Sequence, residues 1–253
     1  MEIDQLNSRI RSCSKCRLSE TRTNAVCGEG DRDARIMLVA QSPGENEDEE
    51  GIMFIGPSGD VLDDLFDNSG MERDKIYMTN LLKCMLPDYR KPKQNEIETC
   101  STYLDEEIEI VDPDILVPLG YYSTRYLFKK YDLSFDATFS DMIGELVLAD
   151  DKKIYPLAHP ASLLYDDSFE EEMKTHYEKL TDLLKPCRWY DICPMKRFYE
   201  EGKIERRWVE LYCKGDWQSC VRYQKEEKGE YHPDSMLPNG EIKEELESIG
   251  DKR

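Results

Sequence analysis

The stretch Arg35-Ile36-Met37-Leu38-Val39-Ala40-Gln41 runs straight into Ser42-Pro43-Gly44. A short apolar run that ends abruptly in a Pro-Gly turn reads as a strand buried on both faces, the kind found in parallel sheets. The chain repeats this theme. Further strands are read at Lys75 to Asn80, Asp114 to Leu119, Glu145 to Leu148 and Ile154 to Ala158. Helical patterns fall between them at Pro57 to Asn68, Gln94 to Ile110, Ser123 to Tyr131 and Phe169 to Leu184. Strands alternating with helices predict an α/β fold, a mostly parallel sheet covered by helices on both faces. Ligand crevices in such sheets lie beyond the carboxyl ends of the strands. Three polar clusters stand at those ends: Gln41-Ser42-Pro43-Gly44, Asn80, and His159-Pro160. The run Glu45 to Glu50 reads as an acidic loop.

The chain has 253 residues, 39% of them hydrophobic, enough for one sizeable domain and a small module. The expected division is a domain over 1–186 and a Cys-rich module with a polar tail over 187–253. No run approaches the roughly 18 apolar residues of a membrane span. The N-terminal MEIDQLNSRI lacks an apolar signal core, so a cytoplasmic protein without membrane partners is expected, taken as a monomer. The net charge of −20 argues at first against a polyanionic partner. The charge is uneven, however. Residues 1–186 hold 21 basic and 39 acidic side chains, whereas residues 187–225 hold 9 and 6. The C-terminal stretch is thus the surface least repulsive to nucleic acid.

Nine cysteines in a chain of this class suggest metal before disulfides. Cys13-x2-Cys16 with Cys84-x15-Cys100 forms one set, suited to zinc or a 4Fe–4S cluster. Cys187-x5-Cys193-Pro194 with Cys213-x6-Cys220 forms another, for which a second 4Fe–4S cluster is slightly favoured over zinc because proline follows a ligand cysteine. Cys27 is left over. Around the second set, Arg188, Lys196, Arg197, Lys203, Arg206 and Arg207 with Trp208 and Trp217 could grip DNA, or the tryptophans could simply form a small core. His176 and His232 read as structural or exposed.

Over residues 10–185 the chain resembles the family-4, iron–sulfur uracil-DNA glycosylases. The resemblance rests on Ala40-Gln41-Ser42-Pro43-Gly44-Glu45 followed by acids, Met53-Phe54-Ile55-Gly56, Asn80-Leu81-Leu82-Lys83-Cys84, Arg90-Lys91-Pro92 with Glu96 and Cys100, and His159-Pro160-Ala161, in order and with the cysteines interleaved. It implies a three-layer sandwich of the glycosylase type, a 4Fe–4S cluster on the first cysteine set, and uracil-containing DNA as partner. It also implies roles. His159 stabilises the departing base, although a capping histidine is the plain alternative. Asn80 reads the Watson–Crick edge of uracil, Phe54 stacks on the flipped base, and the backbone around Gln41 and Ser42 contacts it. Ser162, Leu163 and Leu164 face the DNA, the leucines as a wedge.

Two departures stand out. Gln41 replaces the family's usual Glu and cannot act as a base, so a carboxylate role passes to Glu47 or Asp48. Tyr165-Asp166-Asp167 stands where the family has Arg-Asn-Pro. The expected function is hydrolysis of the bond between uracil and deoxyribose in DNA. The alternatives are a nucleic-acid-binding protein that does not cut, or a glycosylase for hypoxanthine or xanthine.

Overall fold

The computed structural model describes residues 3–149 and 152–246. Its helices are α1 (Ile3–Arg11), α2 (Leu18–Thr21), α3 (Glu45–Glu50), α4 (Pro57–Ser69), α5 (Gln94–Val111), α6 (Tyr121–Lys130), α7 (Phe139–Met142), α8 (Glu170–Asp182), α9 (Pro194–Glu200), α10 (Arg206–Trp208) and α11 (Val221–Lys228). Its strands are β1 (Glu29–Gly30), β2 (Ile36–Ala40), β3 (Tyr77–Asn80), β4 (Ile115–Pro118), β5 (Val147–Ala149) and β6 (Lys152–Ile154).

The strands form one mixed sheet in the order β1-β3-β2-β4-β6-β5. β2 pairs in parallel with both β3 and β4, and β4 pairs in parallel with β6. The short β1 lies antiparallel on β3, an edge the sequence reading did not foresee. Every residue of β2, β3 and β4 is buried, as unbroken apolar runs require. The ladder sets Ala40 opposite Asn80. It continues past the strand ends, with Leu81 N–H on Ala40 C=O at 2.8 Å and Leu82 N–H on Gln41 C=O at 2.9 Å. On the other side Leu119 bridges Leu157, two residues before His159. Register alone therefore brings the ends of four strands level.

Two local readings change. The acidic run Glu45 to Glu50 is not a loop but α3. Acids in a first turn favour a helix electrostatically. Glu47 also reaches back to accept the N–H of the N-cap residue Gly44 at 3.0 Å, the arrangement of a capping box. Glu47 and Asp48 are consequently buried rather than solvated. β6 lies earlier than Ile154 to Ala158, and that segment runs on beyond it as extended chain. The polar tail carries a 3-10 turn at Glu244–Leu246, and the terminal helix expected there falls outside the described residues.

The chain divides into two compact units, Met1–Glu145 with Ala149–Glu178, and Leu146–Leu148 with Lys179–Arg253. The break lies a few residues earlier than a reading at 186. Residues of the segment 179–185 bond within the second unit: Lys179 pairs with Asp216 at 2.8 Å, and Asp182 accepts from Gln218 at 2.8 Å.

Before α4 the chain is tight. Phe54 adopts φ 51°, a left-handed conformation costly for an aromatic residue. Arg73 holds it there by donating to the carbonyls of Met53 (2.8 Å) and Phe54 (3.2 Å). Gly59 lets α4 approach, since a Cβ at that position would lie 1.9 Å from the Phe54 carbonyl oxygen. Gly59→Ala is expected to cost about 2 kcal/mol or more in a urea melt; an unchanged midpoint would show that the Phe54 turn relaxes freely.

Candidate active site

Ser42, Pro43 and Gly44 after β2, Glu47 of α3, Met53 and Phe54, Ser58, Asn80 at the end of β3, and His159 together line one small cavity of about 20 Å³. Five residues singled out from sequence therefore meet: Ser42, Glu47, Phe54, Asn80 and His159. Gln41 does not belong to its lining. Successive residues of extended chain face opposite ways, so Ala40 and Ser42 reach the cavity and the residue between them does not. Gln41, named among the catalytic and base-contacting positions, thus lies outside the lining, while its backbone stays fixed in the ladder described above.

His159 both caps and faces the cavity. It is the N-cap of the 3-10 turn Pro160–Leu164, and its Nδ1 accepts the Ala161 N–H at 3.1 Å. A neutral imidazole with Nδ1 as acceptor carries its proton on Nε2, so the free nitrogen is a donor. Burial of the ring pulls its pKa down to about 4. Its ring centroid lies 6.2 Å from that of Phe54 at an interplanar angle of 32°.

Asn80 is 2% exposed. Its side-chain N–H donates to the Met53 thioether sulfur at 3.0 Å. Thioethers are weak acceptors, so a better acceptor entering the cavity could displace this contact. The cavity has room for about one water, and a pyrimidine enters only as its walls give. Met53, quoted from the sequence in a motif but given no role there, is the side chain in contact with the Asn80 amide. Glu47 braces two loops at once, accepting from Gly44 N–H and, at 2.8 Å, from Gly56 N–H.

Behind Asn80 is a buried ionic network. Lys83 and Glu107, 2% and 0% exposed, pair at 2.5 Å. Lys83 Nζ also donates to Thr79 Oγ1 (2.6 Å) and to the Asn80 carbonyl (2.9 Å). Glu107 further accepts from Thr79 Oγ1 at 2.7 Å and Gly28 N–H at 3.2 Å. Neither residue was given a role by the sequence.

Cys13, Cys16, Cys84 and Cys100 converge on a common pocket wall. Arg22 Nη1 donates to Cys84 Sγ at 3.0 Å, and the Lys83 N–H donates to Cys100 Sγ at 3.3 Å. Burial pushes the Cys100 thiol up to about 11. Arg22, another residue the sequence did not flag, also donates to the carbonyls of Arg11 and Cys13. Between Cys84 and Cys100, Arg90 forms a two-pronged pair with Glu96 at 2.5 and 2.9 Å. Cys27 stands apart, its thiol on Asn7 C=O at 3.6 Å.

Leu164 is 48% exposed at the end of the His159 turn, and Leu163 is partly buried. Ser162 is tied into that turn, its hydroxyl donating to the His159 carbonyl. In the second unit the bases read as a possible DNA grip are mostly paired with acids: Arg188 with Glu227, Lys196 with Asp191, Lys203 with Glu201 and Arg207 with Glu205. Trp208 packs on a cluster of buried residues in this unit, and Trp217 donates to Asp182 C=O at 3.4 Å.

A family model described as the uracil DNA glycosylase superfamily matches residues 27–185. The type-4 uracil-DNA glycosylase of Sulfurisphaera tokodaii is 37% identical over 195 residues, covering 75% of this chain and 88% of that protein. That of Saccharolobus solfataricus is 36% identical over 191 residues, covering 72% and 86%. That of Archaeoglobus fulgidus is 35% identical over 185 residues, covering 72% and 92%.

Two measurements test this geometry. Lys83→Met strands the Glu107 carboxylate in the core and is expected to cost about 3–5 kcal/mol in a denaturant melt; a loss under 1 kcal/mol would mean that water reaches the pair. Nitrogen NMR should find the His159 imidazole neutral, protonated on Nε2, with no titration between pH 8 and 5. The unfolded chain protonates this histidine near 6.5 while the folded chain waits until about 4. The histidine's contribution to stability is therefore constant above 6.5 and falls as pH drops from 6.5 to 4. A folded-state titration near 6.5 would contradict the burial argument.

Proposed function

The chain belongs to the uracil-DNA glycosylase superfamily, with relatives among its type-4 enzymes; it is a DNA N-glycosylase, and we propose that it cuts the uracil–deoxyribose bond with the residues around the His159 cavity. The observation that carries this reading is a neutral imidazole offering Nε2–H beside a buried amide and an aromatic ring. In the proposed step the base is turned out of the helix and enters against Phe54. Asn80 exchanges its Met53 contact for uracil, giving an N–H to O4 and accepting the N3–H. Cytosine presents the opposite pattern and is refused. The bond between N1 and C1′ breaks with its electron pair going to the base. The charge settles on O2, where His159 donates a hydrogen bond in a site poor in water. Because the imidazole is neutral, it stabilises by donating and transfers no proton.

Water completes the reaction by adding its oxygen to C1′ and releasing a proton to solvent. Glu47 is assigned to this region. Its two amide contacts make it first a positioning residue for the Ser42–Gly44 and Gly56 loops, with its negative charge close to where the sugar becomes cationic. Leu164, exposed on the turn after His159, is the apolar group that fills the gap left in the base stack.

Cys13, Cys16, Cys84 and Cys100 fit a 4Fe–4S cluster. Four thiols on one wall, two of them already receiving N–H donors from Arg22 and Lys83, match the hydrogen-bonded sulfurs of such sites. Bound there, the cluster would cross-link the N-terminus to the Lys83–Cys100 segment. Hydrolysis requires no electrons, so its contribution is structural.

The test uses oligonucleotides carrying uracil, hypoxanthine or xanthine, with abasic sites scored after alkali. Uracil should be released, and Asn80→Ala and His159→Ala should each lower its release by 100-fold or more while a melting curve stays within a few degrees of wild type. Asn80→Asp should shift preference away from uracil. Binding of uracil DNA without any abasic product, or release of purines only, would overturn the assignment.

A further inference from the structure

The second unit has little to hold it together. Its core is a cluster of seven buried residues that includes Cys213, and among the described residues from Lys179 onward the β-pairing is a bridge from Met236 to Ile242. A unit of this size with so small a core ordinarily requires a disulfide or metal staple. Its cysteines are free thiols, so disulfides do not supply one.

Cys187, Cys193, Cys213 and Cys220 instead line one cavity of about 160 Å³. The backbone joins them further: Cys187 N–H donates to the Cys213 carbonyl at 2.7 Å. The same cavity is lined by Trp189 and Arg222. Trp189 Nε1 and Arg222 Nε are buried and find no hydrogen-bond partner among the described residues. Arg222 is 3% exposed, and its Nη1 is already used on the carbonyls of Pro233, Asp234 and Met236. Leaving a buried N–H unmade costs about 1–3 kcal/mol. Two such donors beside four thiols call for an anionic, sulfur-rich occupant.

A single zinc bound at 2.3 Å would draw four tetrahedral thiolates to about 3.8 Å from one another. A cubane places each cysteine on its own iron, around a body that needs space, and leaves sulfurs free to accept hydrogen bonds. We infer that the second unit binds a 4Fe–4S cluster through Cys187, Cys193, Cys213 and Cys220, with Trp189 and Arg222 donating to its sulfurs. The inference is independent of the glycosylase reading and of the first cysteine set. His232, read from the sequence as structural or exposed, lines this cavity with its side chain 7% exposed and 3.0 Å from Glu226.

The experiment is iron, sulfide and zinc analysis of the full chain, purified without oxygen after reconstitution with ferrous iron and sulfide. About eight irons and eight sulfides per chain are expected, falling to about four in Cys13→Ser/Cys16→Ser and to about four in Cys187→Ser/Cys220→Ser. Reduced Cys13→Ser/Cys16→Ser should still give the paramagnetic signal of a cubane. About four irons in the wild type, all lost with Cys13 and Cys16, would overturn the inference, as would one zinc per chain that Cys187→Ser/Cys220→Ser loses. Four irons insensitive to Cys13 and Cys16 but lost with Cys187 and Cys220 would support this site and refute the first. Because the Cys187→Ser/Cys220→Ser protein could fail to fold, the wild-type count and the Cys13→Ser/Cys16→Ser spectrum decide by themselves.

Discussion

The ion pair between Lys83 and Glu107 is the contact on which the site depends. Removing two charges from water is expensive, and their attraction repays the cost only where the remaining donors and acceptors are satisfied. Here they are. Lys83 gives its protons to Glu107, Thr79 and the Asn80 carbonyl, while Glu107 takes from Lys83, Thr79 and Gly28. The pair fixes α5 and the Gly28 segment to the end of β3, and so fixes the backbone from which Asn80 reaches into the cavity. On its other side Lys83, which precedes Cys84 in sequence, donates its backbone N–H to Cys100 Sγ. One residue thus ties the Asn80 backbone to two of the four converging thiols, so that a change at Cys84 or Cys100 has a physical route to the cavity.

Much of this arrangement could be read from the chain. Parallel strands with unbroken apolar runs fix where their carboxyl ends lie, and the polar residues just past those ends, Ser42, Asn80 and His159, do meet. What could not be read is what depends on partners distant in sequence. Lys83 and Glu107 are 24 residues apart, and nothing local marks either as buried. Arg22 earns its place only once α2 packs beside Cys84. Met53 looked like an ordinary core residue. The acidic run misled because its charges suggested solvent, whereas Glu47 is turned inward by two backbone amides. Gln41 misled in the other direction, since strand alternation carries it off the cavity that its neighbours line.

Strain and softness divide the labour at the cavity. Phe54 is held in a left-handed backbone conformation by Arg73 and by the close approach at Gly59, so its ring is positioned before any base arrives. Positioning a group in advance lowers the entropy cost of binding. Met53 is the opposite, a flexible thioether resting on Asn80 through a contact cheap to break. A backbone held in strain thus stands beside a displaceable thioether in one cavity, the arrangement on which the proposed entry of a planar base rests.

The charge distribution constrains how such a site can hold DNA. The net charge is −20, and in the second unit Arg188, Lys196, Lys203 and Arg207 are matched to acids, which weakens the electrostatic attraction that drives non-specific binding. Attraction to phosphate has to come from backbone amides at turns such as Ser42–Gly44. The rest must come from apolar contacts, with Leu164, Ile52 and Ile55 exposed and Tyr165 almost fully so. Binding built this way releases few counterions and depends weakly on salt. On the proposed reading it would place more of the free energy on the extruded base itself, and a damaged or mispaired base costs less to unstack.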